Sequence, residues 1–571
     1  MKSMFFIKKL SVVLCMFFAS AFCFAKQKRG EQELVPAGSW IYDNLAAVAL
    51  ESGRADLSDQ APLPVKEIRM FLEEADYDSL SDNAKLLYDE VDRYINEELF
   101  SCGFDDLYFL ADPVINLEGQ YKSNDALEWA FDRYKRSEFI SFPASLNVQN
   151  HLTMYTDLTF RMNKGAMSHN DVYTNIPFNL DDVDVNFPDT GYISTGCALG
   201  ERTFLNFRLG MGAQDVGRTS TGSVIFSRYM TGASWADLEL YSPNLRYDMN
   251  VTQFNVDKYM YSHRIDVRFF KKLTVTAMES ILVNAPLELR FLNPFTIFHG
   301  MSPWKDYDPD DDETHTGAYM CFKVSYVPVK NLRLYALFAQ DQFQTPYELE
   351  NWPNDVTPNA IGAQAGIESF IPYGEGNFHI WLEGYYAQPY LYIKESPNWS
   401  FLRTYEENIG DMAVFYEWIG SPFGPDTVAG ELNLSYEKGR KWSLTGTYLF
   451  MARGEMAKDR VFKKDGMKWG GCDTDFDYKD DEELKAWAYP DKGAQGFDEA
   501  KRRQGFITPT GVPEYVNRVS LRGSYALSDY LTLKGQLAYT FVFNHANTKG
   551  SFEHGIEGAF TASWRFLGMN F

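Results

Sequence analysis

Residues Leu531 to Phe543 read LTLKGQLAYTFVF, and their alternation decides the fold. Leu531, Leu533, Gly535, Leu537, Tyr539, Phe541 and Phe543 share one face of an extended chain. Thr532, Lys534, Gln536, Ala538 and Thr540 share the other. Thirteen extended residues rise about 43 Å, and at a tilt near 45° they cover roughly 30 Å, which suits a bilayer core and is long for a soluble sandwich.

The same period recurs outward from this stretch. Val519, Leu521, Gly523, Tyr525 and Leu527 oppose Arg518, Ser520, Arg522 and Ser524. Leu432, Leu434 and Tyr436 oppose Glu431, Asn433, Ser435 and Glu437, and Ile556, Gly558, Phe560, Ala562, Trp564 and Phe566 oppose Glu557, Thr561, Ser563 and Arg565. No stretch beyond the N-terminal leader carries 18 mainly apolar residues, so a closed barrel is the spanning structure that remains. The period holds from about Pro113 to Phe571, which predicts a transmembrane antiparallel β-barrel of about 16–18 strands. The terminal Phe571 suits such a barrel, with a bulge near Gly568 to bring it into phase. Tyr385, Tyr386, Tyr390 and Tyr392 read as an interfacial aromatic girdle.

The 571 residues carry 54 basic and 78 acidic side chains, a net charge of −24. That balance excludes nucleic acid as a partner, because no basic stripe could release counterions from a phosphate backbone. Residues 1–25 read as a signal peptide: Lys2, Lys8 and Lys9, an apolar run from Leu10 to Phe18, then a cut between Ala25 and Lys26. Losing three lysines and no acid takes the net charge from −24 to −27. Export through this segment predicts a bacterial outer-membrane location.

Residues 26–110 read as a small periplasmic helical domain, ahead of a barrel over 111–571. Ser39 caps a first helix bearing Ile41, Leu45, Val48 and Ala49, and Pro64 opens a second with Ile68, Phe71 and Leu72. Ser81 caps a third carrying Leu86, Leu87, Val91, Tyr94, Ile95 and Leu99. Three short helices bury little alone, so they are expected to pack on something larger.

Candidate chemistry is sparse. Cys102, Cys197, Cys321 and Cys472 are too scattered for a metal site, and read as isolated thiols or one optional loop bridge. Eight histidines show no i, i+4 pair and no HExxH, and there is no GxSxG, so no enzymatic activity is expected. The acidic runs Asp306–Glu313 and Asp473–Glu483 read as solvated loops. The second starts like a calcium loop, but Tyr478 and Leu484 replace its turn glycine and bidentate acid, so no cofactor is expected, with a loop-bound calcium as the alternative. Trp304, Trp352 and Trp399 lie among turn residues. The candidate carbohydrate site is Trp304 and Trp352 as stacking surfaces, with Asp306 and Asp355 orienting sugar hydroxyls.

The order of several phrases resembles the capsule-assembly Wzi-like outer-membrane proteins. These are Gly217 to Ser227 (GRTSTGSVIFS), a glycine-rich turn leading into a strand, and the His263 to Val267 segment followed by Leu273 to Glu279. Asn293-Pro294-Phe295, Leu334 to Asp341, and Gly420 to Asp426 (GSPFGPD) follow. The resemblance spans most of the mature chain and implies an outer-membrane barrel with a small helical domain, acting as a lectin for capsular polysaccharide. It carries over no binding residues, because the loops that would touch sugar are the parts that do not match. Trp40 to Leu45 (WIYDNL) also resembles the peptidoglycan-binding helical modules of carbohydrate-selective porins, which implies the alternative of a tethered diffusion channel.

Overall fold

The computed structural model describes residues 24–104, 106–124, 126–127, 137–162, 173–178, 183–184, 188–298, 316–353, 358–394, 400–409, 411–456, 498, 501 and 505–566. Eighteen antiparallel strands close into one barrel. In chain order they are β1 (Val114–Lys122), β2 (Ile140–Val148), β3 (Leu152–Phe160), β4 (Thr190–Ala198), β5 (Phe204–Met211) and β6 (Ser234–Tyr241). Then come β7 (Leu245–Asn255), β8 (Lys258–Phe269), β9 (Leu273–Val283), β10 (Thr316–Tyr326), β11 (Leu332–Gln342) and β12 (Ala360–Tyr373). The last six are β13 (Gly376–Ala387), β14 (Thr427–Lys438), β15 (Trp442–Arg453), β16 (Glu514–Ser528), β17 (Leu531–Phe543) and β18 (Phe552–Arg565). The ring closes where β18 pairs with β1, from Glu557 opposite Lys122 to Arg565 opposite Val114.

The alternation seen in the sequence sorts the side chains as expected. Along β17, Leu537, Tyr539 and Phe543 are exposed on the outer wall, whereas Ala538, Thr540 and Val542 are buried inside. Val519, Leu521, Tyr525, Ile556, Phe560 and Trp564 also face outward. The tyrosine girdle is a correction: Tyr385, Tyr390 and Tyr392 are buried in the lumen. Tyr385 alternates with the exposed Leu382 and Gly384, so parity places it inside, and the other two lie on a connection folded into the barrel.

Short turns gather at one end, at 270–272, 374–375, 439–441 and 529–530, and the longest connections, 284–315, 388–426 and 454–513, at the other. In barrels of this type the short turns face the periplasm and the long loops the exterior. Three helices sit at the short-turn end: α1 (Trp40–Glu51), α2 (Val65–Leu72) and α3 (Asp82–Asn96). Ser39 and Ser81 cap α1 and α3 through their side chains, and Pro64 directly precedes α2. Leu99 is not on the third helix. The backbone turns extended at Glu97, and Leu99 lies in a strand, Glu98–Phe104, that pairs with Phe24–Lys28. A further strand, Leu107–Ala111, pairs with β2. Ala25 and Lys26, flanking the expected cleavage, lie opposite Ser101 and Phe100.

The helices are anchored inside the wall by ion pairs. Arg246 on β7, fully buried, reaches Glu67 of α2 and lies 2.6 Å from Glu239, while its Nη1 donates to the Leu57 carbonyl at 2.7 Å. Lys323 on β10 meets Asp59 at 2.6 Å, and Arg268 on β8 meets Glu74 at 2.6 Å. Burial pushes the Glu74 carboxyl up, but the Arg268 bond and the charges of Arg268, Arg54 and Arg202 outweigh it and hold it below the usual value.

Candidate functional site

Two loops from the long-loop end fold back into the lumen. The connection 212–233 carries the GRTSTGSVIFS phrase, which is therefore not a turn leading into a strand. Val216 bridges Phe226, and the loop interior hangs on barrel side chains. Glu383 accepts from the Ser220 and Thr221 amides at 3.0 and 2.9 Å, and Gln364 accepts from the Val224 amide at 2.9 Å. Gly222 has a φ of +93°, and an added Cβ would lie 2.8 Å from Ser227 Oγ and 2.9 Å from Pro422 Cδ. Glycine is thus required where this loop meets the second one, 388–426, whose Ser421 donates to the Thr221 carbonyl at 3.3 Å.

Together these loops build an apolar layer inside the lumen, against strands between β7 and β17. Val224, Ile225, Tyr392, Phe401 and Ile419 are fully buried and join wall residues Tyr319 on β10, Leu449 and Met451 on β15, Val516 on β16 and Val542 on β17. Tyr319 and Tyr392 both donate to the Val224 carbonyl, the first at 2.8 Å. Two loop carboxylates sit in this region with raised pKa values. Burial, partly offset by Arg228, pushes Asp215 up to about 6. Burial likewise pushes Asp426 up to about 6, against hydrogen bonds from Thr510 and Met456.

Below this layer and above the helices lies a cavity of about 370 Å³. Its floor is the start of α1, with Gly38, Ser39, Tyr42 and Asp43, and one side is the inturned loop, with Asp215, Arg218, Ser220 and Arg228. The remaining wall is polar, from β14 to β17, and includes Asn433, Ser443, Thr445, Thr447, Ser520, Arg522 and Gln536. Arg218 ties the loop to the floor and to the neighbouring strands β12 and β13. It pairs with Asp43 at 2.7 Å and with Glu368 on β12, and stacks 4.8 Å from the Trp381 ring on β13. The cavity is a polar chamber suited to holding a hydroxylated molecule.

Of the sites read from sequence, Trp352 is described: it follows a short helix, Pro346–Asn351, on a long loop, is 51% exposed, and stands edge-on 5.6 Å from Tyr347. Trp304, Asp306 and Asp355 lie outside the described residues, as do both acidic runs, Trp399 and Cys472. Among the described residues, Cys102, Cys197 and Cys321 are unbridged, and no group of three or more His, Cys, Asp or Glu is placed to hold a metal. The chamber was missed by sequence reasoning, although Arg522, Lys534 and Gln536 were legible on the inward side of their strands.

No protein-family model matches the chain, and no curated protein matches it either. Among solved structures it is similar to Wzi of Escherichia coli, an outer-membrane protein involved in group 1 capsule assembly and described as a carbohydrate-binding β-barrel. The TM-score is 0.55 at 11% identity, over 94% of this chain and 100% of that one. OprD of Pseudomonas aeruginosa aligns with a TM-score of 0.37 at 9% identity, over 81% and 96% of the two chains. The channel DcaP of Acinetobacter baumannii aligns at 0.33 and 10%, over 81% and 99%. The likeness to Wzi is one of fold.

Proposed function

We propose that this chain is a non-enzymatic protein of the bacterial outer membrane that holds surface polysaccharide, with an exported precursor cleaved between Ala25 and Lys26. The observation that carries the reading is the apolar layer inside the lumen, from Val224 and Ile225 to Val542. A diffusion channel needs a continuous aqueous path, and a layer of aromatic and aliphatic side chains inside the barrel argues against one. The fold shared with a carbohydrate-binding barrel supports the same reading. So does Trp352, whose half-exposed ring stands at the long-loop end, where surface glycan would meet it.

The test has two arms. The purified full chain in planar bilayers should give no stable conductance steps, and a strain lacking the gene should shed polysaccharide from its surface. Large stable steps together with unchanged cell-attached glycan would replace this reading with the porin. Within the binding reading, Trp352→Ala should loosen surface glycan while leaving membrane assembly intact, since the ring lies off the barrel strands.

A further inference from the structure

The connection that leaves β9 turns down over the outer wall of the barrel. Along β8, Tyr261 and His263 share the outward parity of the exposed Ile265, yet Tyr261 is buried. What buries it comes from residues 284–298. Phe291 and Phe298 join Tyr261, Ile281 and Val283 in one apolar cluster, with Ala285 and Leu292 at its edge. The Phe291 ring lies 5.1 Å from that of Tyr261, and the Phe298 ring 4.6 Å from that of His263. The Tyr247 hydroxyl on β7 donates to the Pro294 carbonyl at 2.8 Å.

These contacts fix the depth of the segment. β8 and β9 have 12 and 11 residues, which at a tilt near 45° stand roughly 26–29 Å tall, close to the apolar band of about 25 Å that an outer-membrane barrel presents to lipid. Lys258 opens β8 at the long-loop end, and His263 lies roughly 12 Å further down the wall. The segment therefore sits at the level of the membrane rather than above it.

Its side chains are sorted for that setting. Leu287, Leu289, Phe295 and Ile297 are exposed, Leu289 by 76% and Phe295 by 91%. The two charges meet each other, Glu288 with Arg290 at 2.5 Å, and the Glu288 amide donates to the Tyr261 hydroxyl at 2.8 Å. Asn293 accepts from the Phe295 amide on its side chain at 3.1 Å and from the Thr296 amide on its carbonyl at 3.0 Å. Pro286 and Pro294 have no amide to satisfy. Irregular backbone at membrane depth needs its polar groups answered within the protein, and the bonds through Tyr247, Tyr261 and Asn293 do this. The helix before Trp352, at the same end of the barrel, differs: it exposes Glu350 and Asn351 beside Tyr347, the mixed surface of a loop in water.

We propose that residues 284–298 are a membrane-inserted segment, docked on the outer wall of β7–β9, whose Leu287, Leu289, Phe295 and Ile297 pack among the acyl chains of the outer leaflet. The occupant follows from continuity. Below the segment the exposed Ile265, Phe322 and Val324 already form the lipid face of the wall, and the segment extends that face upward. The arrangement also accounts for a polar pair on that face: His263 and Glu279 stand opposite each other, outward by parity, at positions where lipid contact is unfavourable. The Phe298 ring covers His263. The proposal is independent of the glycan reading above.

The test places p-benzoylphenylalanine in the full chain at Phe295, at Leu289, at Phe560 on the outer wall as the lipid control, and at Tyr347 as the aqueous control, and irradiates outer membranes. All four side chains are exposed, so the variants should assemble as the parent does, which heat-modifiable gel migration checks. Phe295 and Leu289 should give lipid adducts, as Phe560 does, and Tyr347 should give none. Absence of a lipid adduct at both segment positions, with Phe560 giving one, would place the segment in water and overturn the proposal. A cross-link from either position to a second copy or to another protein would overturn it too, by showing a protein where lipid is expected.

Discussion

Two walls of the same lumen use the same inward positions in opposite ways. On β5 to β10 the inward side chains are Arg208, Asp237, Glu239, Arg246, Arg264 and Lys323, all buried or nearly so and all paired. On β15 to β17 the corresponding positions hold Ser443, Thr445, Ser520 and Arg522, which line the cavity, and Lys534, which is exposed outside its lining. The first wall spends its charge on the helices, through Glu67, Asp59 and the carbonyls of Leu57 and Pro62. The second pairs Arg453 with Glu514 and Arg518 with Glu557, and leaves Arg522 and Lys534 without an ion pair among the described residues. A buried charge is tolerated when its partners are built into the fold, and an exposed luminal cation when a solvent or a ligand can answer it.

The sharpest break of this contrast is Arg246→Met. It strands Glu67 without its cation in a buried site and leaves Glu239 with Arg208 alone, and should cost about 3–5 kcal/mol. The helices should loosen first, seen as faster proteolysis or hydrogen exchange over residues 40–96. Gly222→Val comes next: a β-branched residue at φ +93°, with its Cβ 2.8 Å from Ser227, should cost about 1–3 kcal/mol. Because this glycine seats the inturned loop, the variant should also show flickering conductance where the parent is silent.

Acidity should tighten those inturned loops. Asp215 and Asp426 have folded pKa values raised to about 6, so the folded state binds their protons more readily than the unfolded chain does. Stability therefore rises as pH falls through 6 and continues to rise until the unfolded value, near 4, is reached. Exchange at residues 212–233, corrected for its intrinsic pH dependence, should slow by about tenfold or more between pH 7 and pH 5. The helices should show the reverse, because Glu74 is held low and loses its pairing with Arg268 only as the solution becomes more acidic. The smallest effect belongs to the second wall. Arg522→Gln has no partner to orphan and should stay within about 0.5 kcal/mol of the parent in thermal melts.

Much of this was legible in the chain. The strand Leu531–Phe543 has the bounds its alternation set, and Ser39, Pro64 and Ser81 mark the helix starts. Tyr385 shows where local reading failed. Its residue type suits a membrane interface, but its parity puts it in the lumen, where its hydroxyl donates to the Gly424 carbonyl at 2.9 Å. Composition suggested the girdle, and alternation along β13 overrules it. The GRTSTGSVIFS loop failed differently: glycines and hydroxyls favour an exposed turn, and nothing local says that Glu383 and Gln364 will receive them.

What the sequence determined by itself is the wall: a period of two, an apolar outer face, strand lengths matched to a bilayer, and three capped helices ahead of it. These depend on residues a few positions apart, so a linear chain records them. What only the tertiary structure decided is the content of the lumen. Closing 18 strands points every inward side chain at one shared volume. Contacts such as Arg246 with the Leu57 carbonyl, 189 positions apart, then depend on the ring's geometry and on which loops turn inward. The apolar layer, the paired wall and the polar chamber are products of that closure.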